Sequence, residues 1–279
     1  MAGTPLSVVR YGFNALFDPA DIVSGRRNQY ALTRRAKIRQ AIRLSLFYFL
    51  NLFLYAVPLT YAGFGTSGTT GQPPAAVVGI ASVAGTNPET TWQFLVATAQ
   101  NCTFLFLASV LTFVTFHVGV FLTRNSLGVL QSMHTVVYST GIYLAAIFSF
   151  VWYLSTSADI AVAGDWLVWV QVEFIYAIID LAGANLVLPA GRVEPVSLAG
   201  VTLSGAFALA ALATMGGYYM YSLYLGARIN HDLGRVSSCL AVGFVVASPV
   251  LFVVGSIAGT VLSGSAVPAL ASSLVSIPL

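Results

Sequence analysis

Residues 43–63, RLSLFYFLNLFLYAVPLTYAG, decide the fold class of this chain because they form a long apolar run with one charged residue at its start. At about 1.5 Å per residue, a helix of this length crosses a hydrocarbon core of about 30 Å. The whole sequence has the same character, since 57% of its 279 residues are hydrophobic and 8% are charged. A soluble domain carries about 25% charged residues. We therefore predict an all-α membrane protein, a polytopic transmembrane helical bundle of five or six spans.

Further apolar runs follow this first span. Four of them are predicted to span the membrane, at 93–123, 130–155, 198–227 and 236–261. A fifth run, 166–190, has the length of a span but contains acidic residues. The loop 64–92 has no cation, and its apolar patch AAVVGIASVAG is expected to touch the membrane interface. The predicted organisation is an N-terminal section, a membrane domain and an apolar tail, at 1–42, 43–261 and 262–279.

The distribution of the twelve Lys and Arg residues bears on the number of spans, because short cytoplasmic loops collect these residues. With five spans, the eight N-terminal cations, Arg124, Arg228 and Arg235 lie inside, and Arg192 lies outside. With six spans, Arg192 moves inside while Arg228 and Arg235 move outside. The charges favour five spans, a cytoplasmic N-terminus and a re-entrant or interfacial segment at 166–190.

The N-terminal section is predicted to lie on the inner membrane surface. One helical face carries Leu6, Val9, Phe13, Leu16 and Phe17. We expect this helix to end near Asp18, because Pro19 disfavours a helical conformation in the residue before it. The basic stretch that follows is predicted to contact anionic lipid headgroups, at about 1 kcal/mol per cation. Its residues are Arg26, Arg27, Arg34, Arg35, Lys37 and Arg39. Ordinary positive-inside flanking is the alternative.

Two acids in the segment 166–190 form a candidate ion or proton site. Glu173 and Asp180 are seven residues apart and therefore share one face of a helix with Tyr176. Inside a bilayer these carboxylates would be costly, which is typical of functional groups. The alternative is the wet face of an interfacial helix. The sequence identifies no partner for either acid.

The histidines and cysteines show no catalytic or metal-binding pattern. His117 and His134 flank a tight turn and could approach each other, although a lone membrane histidine is more often a hydrogen-bonding group between helices. His231 and Asp232 are expected to fix the turn between the last two spans rather than to take part in chemistry. The sequence has no HExxH, CxxC or GxSxG motif. We therefore predict no enzymatic activity, no cofactor, no metal site and no nucleic-acid partner.

Small residues mark two faces suited to close helix packing. Ala206, Ala210, Ala213 and Gly217 form a stripe, and Gly255 with Gly259 forms a GxxxG pattern. Such faces allow helix backbones to approach closely. Internal packing and an oligomer interface are both compatible with them.

Two stretches carry a resemblance to a known family. The first is TRNSLGVLQSMHTVVYSTGIYLAAIFSFV, with Gly128 in a turn and Val136-Val137-Tyr138-Ser139 in the helix after it. The second is YYMYSLYLGARINHDLGRVSSCLAVGFVVASPVLFVV, with a polar turn over 225–233. Both resemble the Yip family of membrane proteins, although the region 156–200 departs from that family's five-span layout. The resemblance implies a non-enzymatic membrane organiser, whose eukaryotic relatives engage prenylated small GTPases in vesicle traffic.

These features lead to two functional hypotheses. The first is a Yip-like multi-pass protein of the cell membrane that binds partners or organises lipid. Its expected partners are the lipid bilayer and other membrane proteins or further copies of itself. The alternative is a transporter or channel component that uses Glu173 and Asp180.

Overall fold

The structure is all-α across the part of the chain that it describes. This computed structural model describes residues 13–14, 17–24, 33–65, 71–123, 126–181 and 192–248, and no β-strand occurs in these ranges. In chain order the helices are α1 (Pro19–Val23), α2 (Arg34–Tyr61), α3 (Ala75–Ala84), α4 (Pro88–Leu122), α5 (Val129–Ser155), α6 (Asp159–Leu181), α7 (Leu203–His231) and α8 (Arg235–Val246). In these ranges, the helices α2, α4, α5 and α7 are long and apolar enough to cross a membrane. The all-α prediction is confirmed.

Two of these four long helices begin earlier than the apolar runs predict. Helix α2 starts at Arg34, so the boundary predicted between residues 42 and 43 lies inside one continuous helix. Helix α4 starts at Pro88, directly after Asn87, whose side chain accepts a hydrogen bond of 2.8 Å from the Glu89 N–H. A side-chain cap followed by proline is a strong local start signal for a helix. A hydropathy profile does not detect the cap or the proline, so it places the start of this helix too late.

The described part of the chain also contains elements that the sequence analysis missed. Helix α3 lies within the predicted loop 64–92, and helix α6 begins at Asp159, ahead of the predicted segment 166–190. Residues 182–191 and everything after Ser248 lie outside the described residues. The predicted tail, most of the span 236–261, and the pair Gly255 and Gly259 therefore stay predictions, as does the number of spans.

Helix α1 begins with Pro19, a residue that was expected only to end a helix. The Asp18 N–H bonds to the Asn14 carbonyl at 2.8 Å, which closes the preceding turn near Asp18 as expected. The Asp18 carboxylate then accepts a hydrogen bond from the Asp21 N–H, and Pro19 occupies the first helical position. Proline is favoured there because its missing N–H would have no partner in the helix. Leu6, Val9 and Leu16 of the predicted interfacial helix lie outside the described residues, so that helix stays a prediction.

The chain divides into two compact units. The first comprises 1–149 and 213–248, and the second comprises 150–212 and 249–279. In the first unit, α4 packs against α2, α3 and α8. The core between α4, α7 and α8 is apolar and contains Phe116, Val120, Leu223, Leu233, Ala241 and Val245.

Close approach of α4 and α8 depends on a glycine. A Cβ atom on Gly119 would lie 2.8 Å from the Ala241 Cα and 3.1 Å from the Ala241 carbonyl oxygen. These are backbone atoms, which cannot rotate away as a side-chain end does. The two helices would have to separate to accept any larger residue.

We expect the substitution Gly119→Ala to lower the melting temperature of the detergent-purified protein, because overpacking of a close contact costs about 1–3 kcal/mol. Gly217→Ala is the matched control, since nothing lies within 4 Å of a Cβ at that position. The control should be neutral or slightly stabilising, because alanine has a higher helix propensity than glycine. Equal melting temperatures for the two variants would contradict this packing.

In the second unit, Asp159 at the start of α6 binds the residue that precedes α7. The Asp159 carboxylate accepts a hydrogen bond of 2.6 Å from the Thr202 hydroxyl, and the Gly205 N–H donates to that hydroxyl at 3.0 Å. Asp159 is 5% exposed. The hydrogen bond from Thr202 lowers the pKa of Asp159, because it stabilises the charged carboxylate.

We expect Asp159→Asn to lower the melting temperature at pH 7 and to lose this effect in acid. A carboxyl whose folded-state pKa is lowered stabilises the fold fully above its ordinary pKa of about 4. That contribution disappears as the pH falls through the folded-state pKa. The difference from the wild type should therefore narrow below about pH 4. Asp165→Asn, at an exposed position of α6, should show no such dependence.

Candidate functional site

The candidate functional site lies at the end of the first unit where α2 and α5 begin. The ring of Phe47 stacks on Tyr138 at 5.3 Å, and the ring of Tyr55 lies 6.2 Å from Phe148. The order of these contacts shows that α2 and α5 run in parallel. Their first turns therefore lie at the same end of the unit.

Helices α4 and α7 end at this place, and α8 begins there. His117 near the end of α4 contacts Ser132 at 2.9 Å, and His231 at the end of α7 contacts the same Ser132 at 3.0 Å. The end is rich in exposed cations, and we call it the basic end. Its described Lys and Arg residues are Arg34, Arg35, Lys37, Arg39, Arg43, Arg228 and Arg235. No other Lys or Arg occurs among the described residues of this unit.

Beneath these cations lies a hydrogen-bonded chain of His117, Ser132 and His231. The Leu127 N–H donates to His231 Nδ1 at 3.2 Å. His231 Nε2 must then carry the ring proton and donate it to the Ser132 hydroxyl. The hydroxyl in turn donates to His117 Nδ1. One backbone N–H thus sets the direction of every hydrogen bond in the chain.

The directions of these hydrogen bonds determine which reactions His117, Ser132 and His231 could support. His117 could act as a base toward the Ser132 hydroxyl, but both Ser132 and His231 are 0% exposed, so no substrate reaches that oxygen in this structure. The chain also ends on the backbone N–H of Leu127, which cannot relay a proton. Its clear effect is to join α4, α5, α7 and the turn before α5.

The structure shows the partners of the histidines. His117 contacts Ser132 of a neighbouring helix, as expected for a lone histidine that forms a hydrogen bond between helices, while His134 packs its ring at 4.5 Å against Tyr138. His231 was expected to fix its own turn, but it binds Leu127 in the turn between α4 and α5. The sequence places these residues near one interface, but it does not show which helix faces meet.

The N-terminal section is anchored at the same end. Val23, the last residue of α1, is 0% exposed, and its carbonyl accepts a hydrogen bond of 2.9 Å from Asn230. Asn230 also donates to the Thr135 hydroxyl at 2.8 Å. A Cβ on Gly226 would lie 2.8 Å from Val23, so this approach depends on glycine. No pattern in the sequence indicates this contact, which joins residues far apart in the chain.

The acids Glu173 and Asp180 have a partner in the structure. Arg192 donates to Glu173 Oε1 at 3.1 Å and to Asp180 Oδ2 at 3.3 Å, and its guanidinium lies 5.1 Å from the centroid of the Tyr176 ring. The shared helical face predicted for the acids and Tyr176 is confirmed by this common contact. The side chains of Glu173, Asp180 and Arg192 are 33%, 62% and 52% exposed. A ligand cation would have to compete with Arg192 for both carboxylates.

The small-residue stripe of α7 lies on an exposed face. Ala206, Ala210, Ala213 and Gly217 are all exposed. Nothing lies within 4 Å of a Cβ at Gly217. The role of this stripe in helix packing stays a prediction.

Comparison with known proteins adds no assignment. No family model matches this chain, and no match was found among curated proteins or solved structures.

We expect Ser132→Ala to lower the free energy of unfolding by about 1–3 kcal/mol, because it leaves a buried donor on His231 and a partly buried acceptor on His117 without their partner. The measurement is thermal unfolding of the detergent-purified protein. Ser149→Ala is the matched control, because Ser149 is exposed on α5 and bonds only to the Ala145 carbonyl of its own helix. A control as destabilised as Ser132→Ala would argue against the hydrogen-bonded chain.

Proposed function

We propose that this protein is a non-enzymatic, Yip-like organiser of the cell membrane, with its N-terminus and its basic end in the cytoplasm. At this end it binds anionic lipid headgroups and presents the N-terminal section to partner proteins. The observation that carries the proposal is the collection of seven exposed cations, from α2, α7 and α8, at one end of the first unit. Membrane proteins concentrate Lys and Arg on the cytoplasmic side.

The start of α2 has the form of a lipid-binding helix. Arg35, Arg39 and Arg43 are four residues apart and therefore form one exposed stripe. Beside them Ile38 and Ile42 are 51% and 55% exposed. The stripe continues directly into the membrane-spanning part of the same helix, so its cations are held near the headgroups. Of the predicted headgroup residues, Arg26 and Arg27 lie outside the described residues.

The anchored α1 supports a role in binding partners. Through Val23, Asn230 and Thr135 the chain is tied to α5 and α7 immediately before the basic stretch. The N-terminal section thus leaves the bundle from a fixed point beside the cations. Partner recognition by this section, as in the Yip family, stays a proposal.

The transporter alternative has less support. Arg192 bonds to both Glu173 and Asp180, and all three side chains are partly exposed. An ion path would favour buried acids that face a cavity. If purified protein in vesicles carried a proton flux that Glu173→Gln and Asp180→Asn abolished, this alternative would replace the proposal.

We expect Arg39→Gln to weaken binding of anionic lipid about fivefold, because each cation near the surface contributes about 1 kcal/mol. The full-length protein is reconstituted in nanodiscs of phosphatidylglycerol and phosphatidylcholine, and the lipids retained after purification are quantified by mass spectrometry. Arg192→Gln is the control, since it removes one charge outside the basic end. High salt should reduce the difference. An unchanged lipid ratio in a triple variant of Arg35, Arg39 and Arg43 would overturn the proposal.

A further inference from the structure

A second site lies at the opposite end of the first unit. There the Tyr61 ring lies 5.2 Å from Phe94, and Asn101 donates to the Phe64 carbonyl at 2.9 Å. These contacts place the end of α2 beside the first half of α4, far from the basic end. A cavity of about 600 Å³ opens here, and the residues that line it include Gln72, Val78, Glu89, Trp92 and Gln93. This volume is within the range of small-molecule sites.

The residues around this cavity fit a cationic group. Glu89, Trp92 and Gln93 stand at positions i, i+3 and i+4 of α4 and therefore share one face. The face of an indole ring attracts an ammonium group, and a carboxylate supplies the opposite charge. Among the described residues that line the cavity there is no Lys or Arg. The carboxylate of Glu89 would repel an anionic ligand.

The neighbouring helix α3 indicates where the rest of the ligand lies. Helix α3 packs against α4, and Val78 both lines the cavity and is 41% exposed. Ile80 and Val83 are 64% and 90% exposed. A short helix with such apolar side chains is stable in contact with acyl chains rather than water. Tryptophan beside it is typical of the membrane interface.

We propose that this cavity binds the ammonium headgroup of a membrane lipid. Glu89 pairs with the ammonium, the Trp92 ring covers it, and the acyl chains lie along Val78, Ile80 and Val83 of α3. The site does not depend on the function of the basic end, because it lies at the other end of the unit and selects the opposite charge.

The test is native mass spectrometry of the full-length protein, titrated separately with dioleoyl phosphatidylethanolamine and dioleoyl phosphatidylglycerol, which have identical acyl chains. We expect Glu89→Gln to weaken binding of phosphatidylethanolamine about tenfold, through loss of a charged hydrogen bond. Trp92→Leu should weaken it about threefold to tenfold. Phosphatidylglycerol binding should not change in either variant. The control Glu194→Gln removes an exposed acid from the second unit and should have no effect.

Three outcomes would overturn the proposal. If Glu89→Gln leaves phosphatidylethanolamine binding unchanged, Glu89 does not bind the ammonium. If it weakens both lipids equally, the cavity does not select for that group. If free choline blocks the site at the concentration at which the lipid binds, the ligand is a soluble ammonium compound instead of a lipid. Because Glu89 is exposed, its substitution is not expected to disturb the fold. Unchanged helical circular dichroism would show that the variants are folded.

Discussion

The constraint on which this structure depends is that hydrocarbon offers no hydrogen bonds. Polar groups inside the bundle must therefore find partners in the chain itself. The chain of His117, Ser132 and His231 meets this constraint by joining three helices, and its direction is set by one backbone N–H. Asn230 does the same for the Val23 carbonyl and the Thr135 hydroxyl. Hydrogen bonds at the basic end thus determine which helix faces meet, whereas apolar packing alone would allow several arrangements.

The two ends of the first unit differ in charge, and this difference organises the proposed functions. One end presents seven cations on α2, α7 and α8, while the other presents Glu89 and Trp92 beside an apolar helix. An anionic headgroup is attracted to the first end and an ammonium headgroup to the second. The same protein would then contact different lipids in the two leaflets, which is compatible with a role in organising the membrane.

The long helices could be predicted from the sequence, because the length of an apolar run is a property of the local sequence. The runs at 43–63, 93–123, 130–155 and 198–227 each correspond to a long helix in the structure. Helices α1 and α3 were missed because they are short, and their starts depend on caps and on packing against other helices. The glycines at 119 and 226 were not recognised as contact points, since their importance lies in residues distant in sequence.

The sequence by itself determined that the chain forms long apolar helices, that its cations cluster around particular helix ends, and that Glu173, Tyr176 and Asp180 share a face. Each of these follows from composition or helical periodicity. Only the tertiary structure decided that Arg192 bonds to both acids, that Ser132 links His117 to His231, and that Glu89 and Trp92 line a cavity. The physical reason is that periodicity defines the faces of one helix, whereas the choice of facing partner depends on packing and hydrogen bonding between segments far apart in the chain.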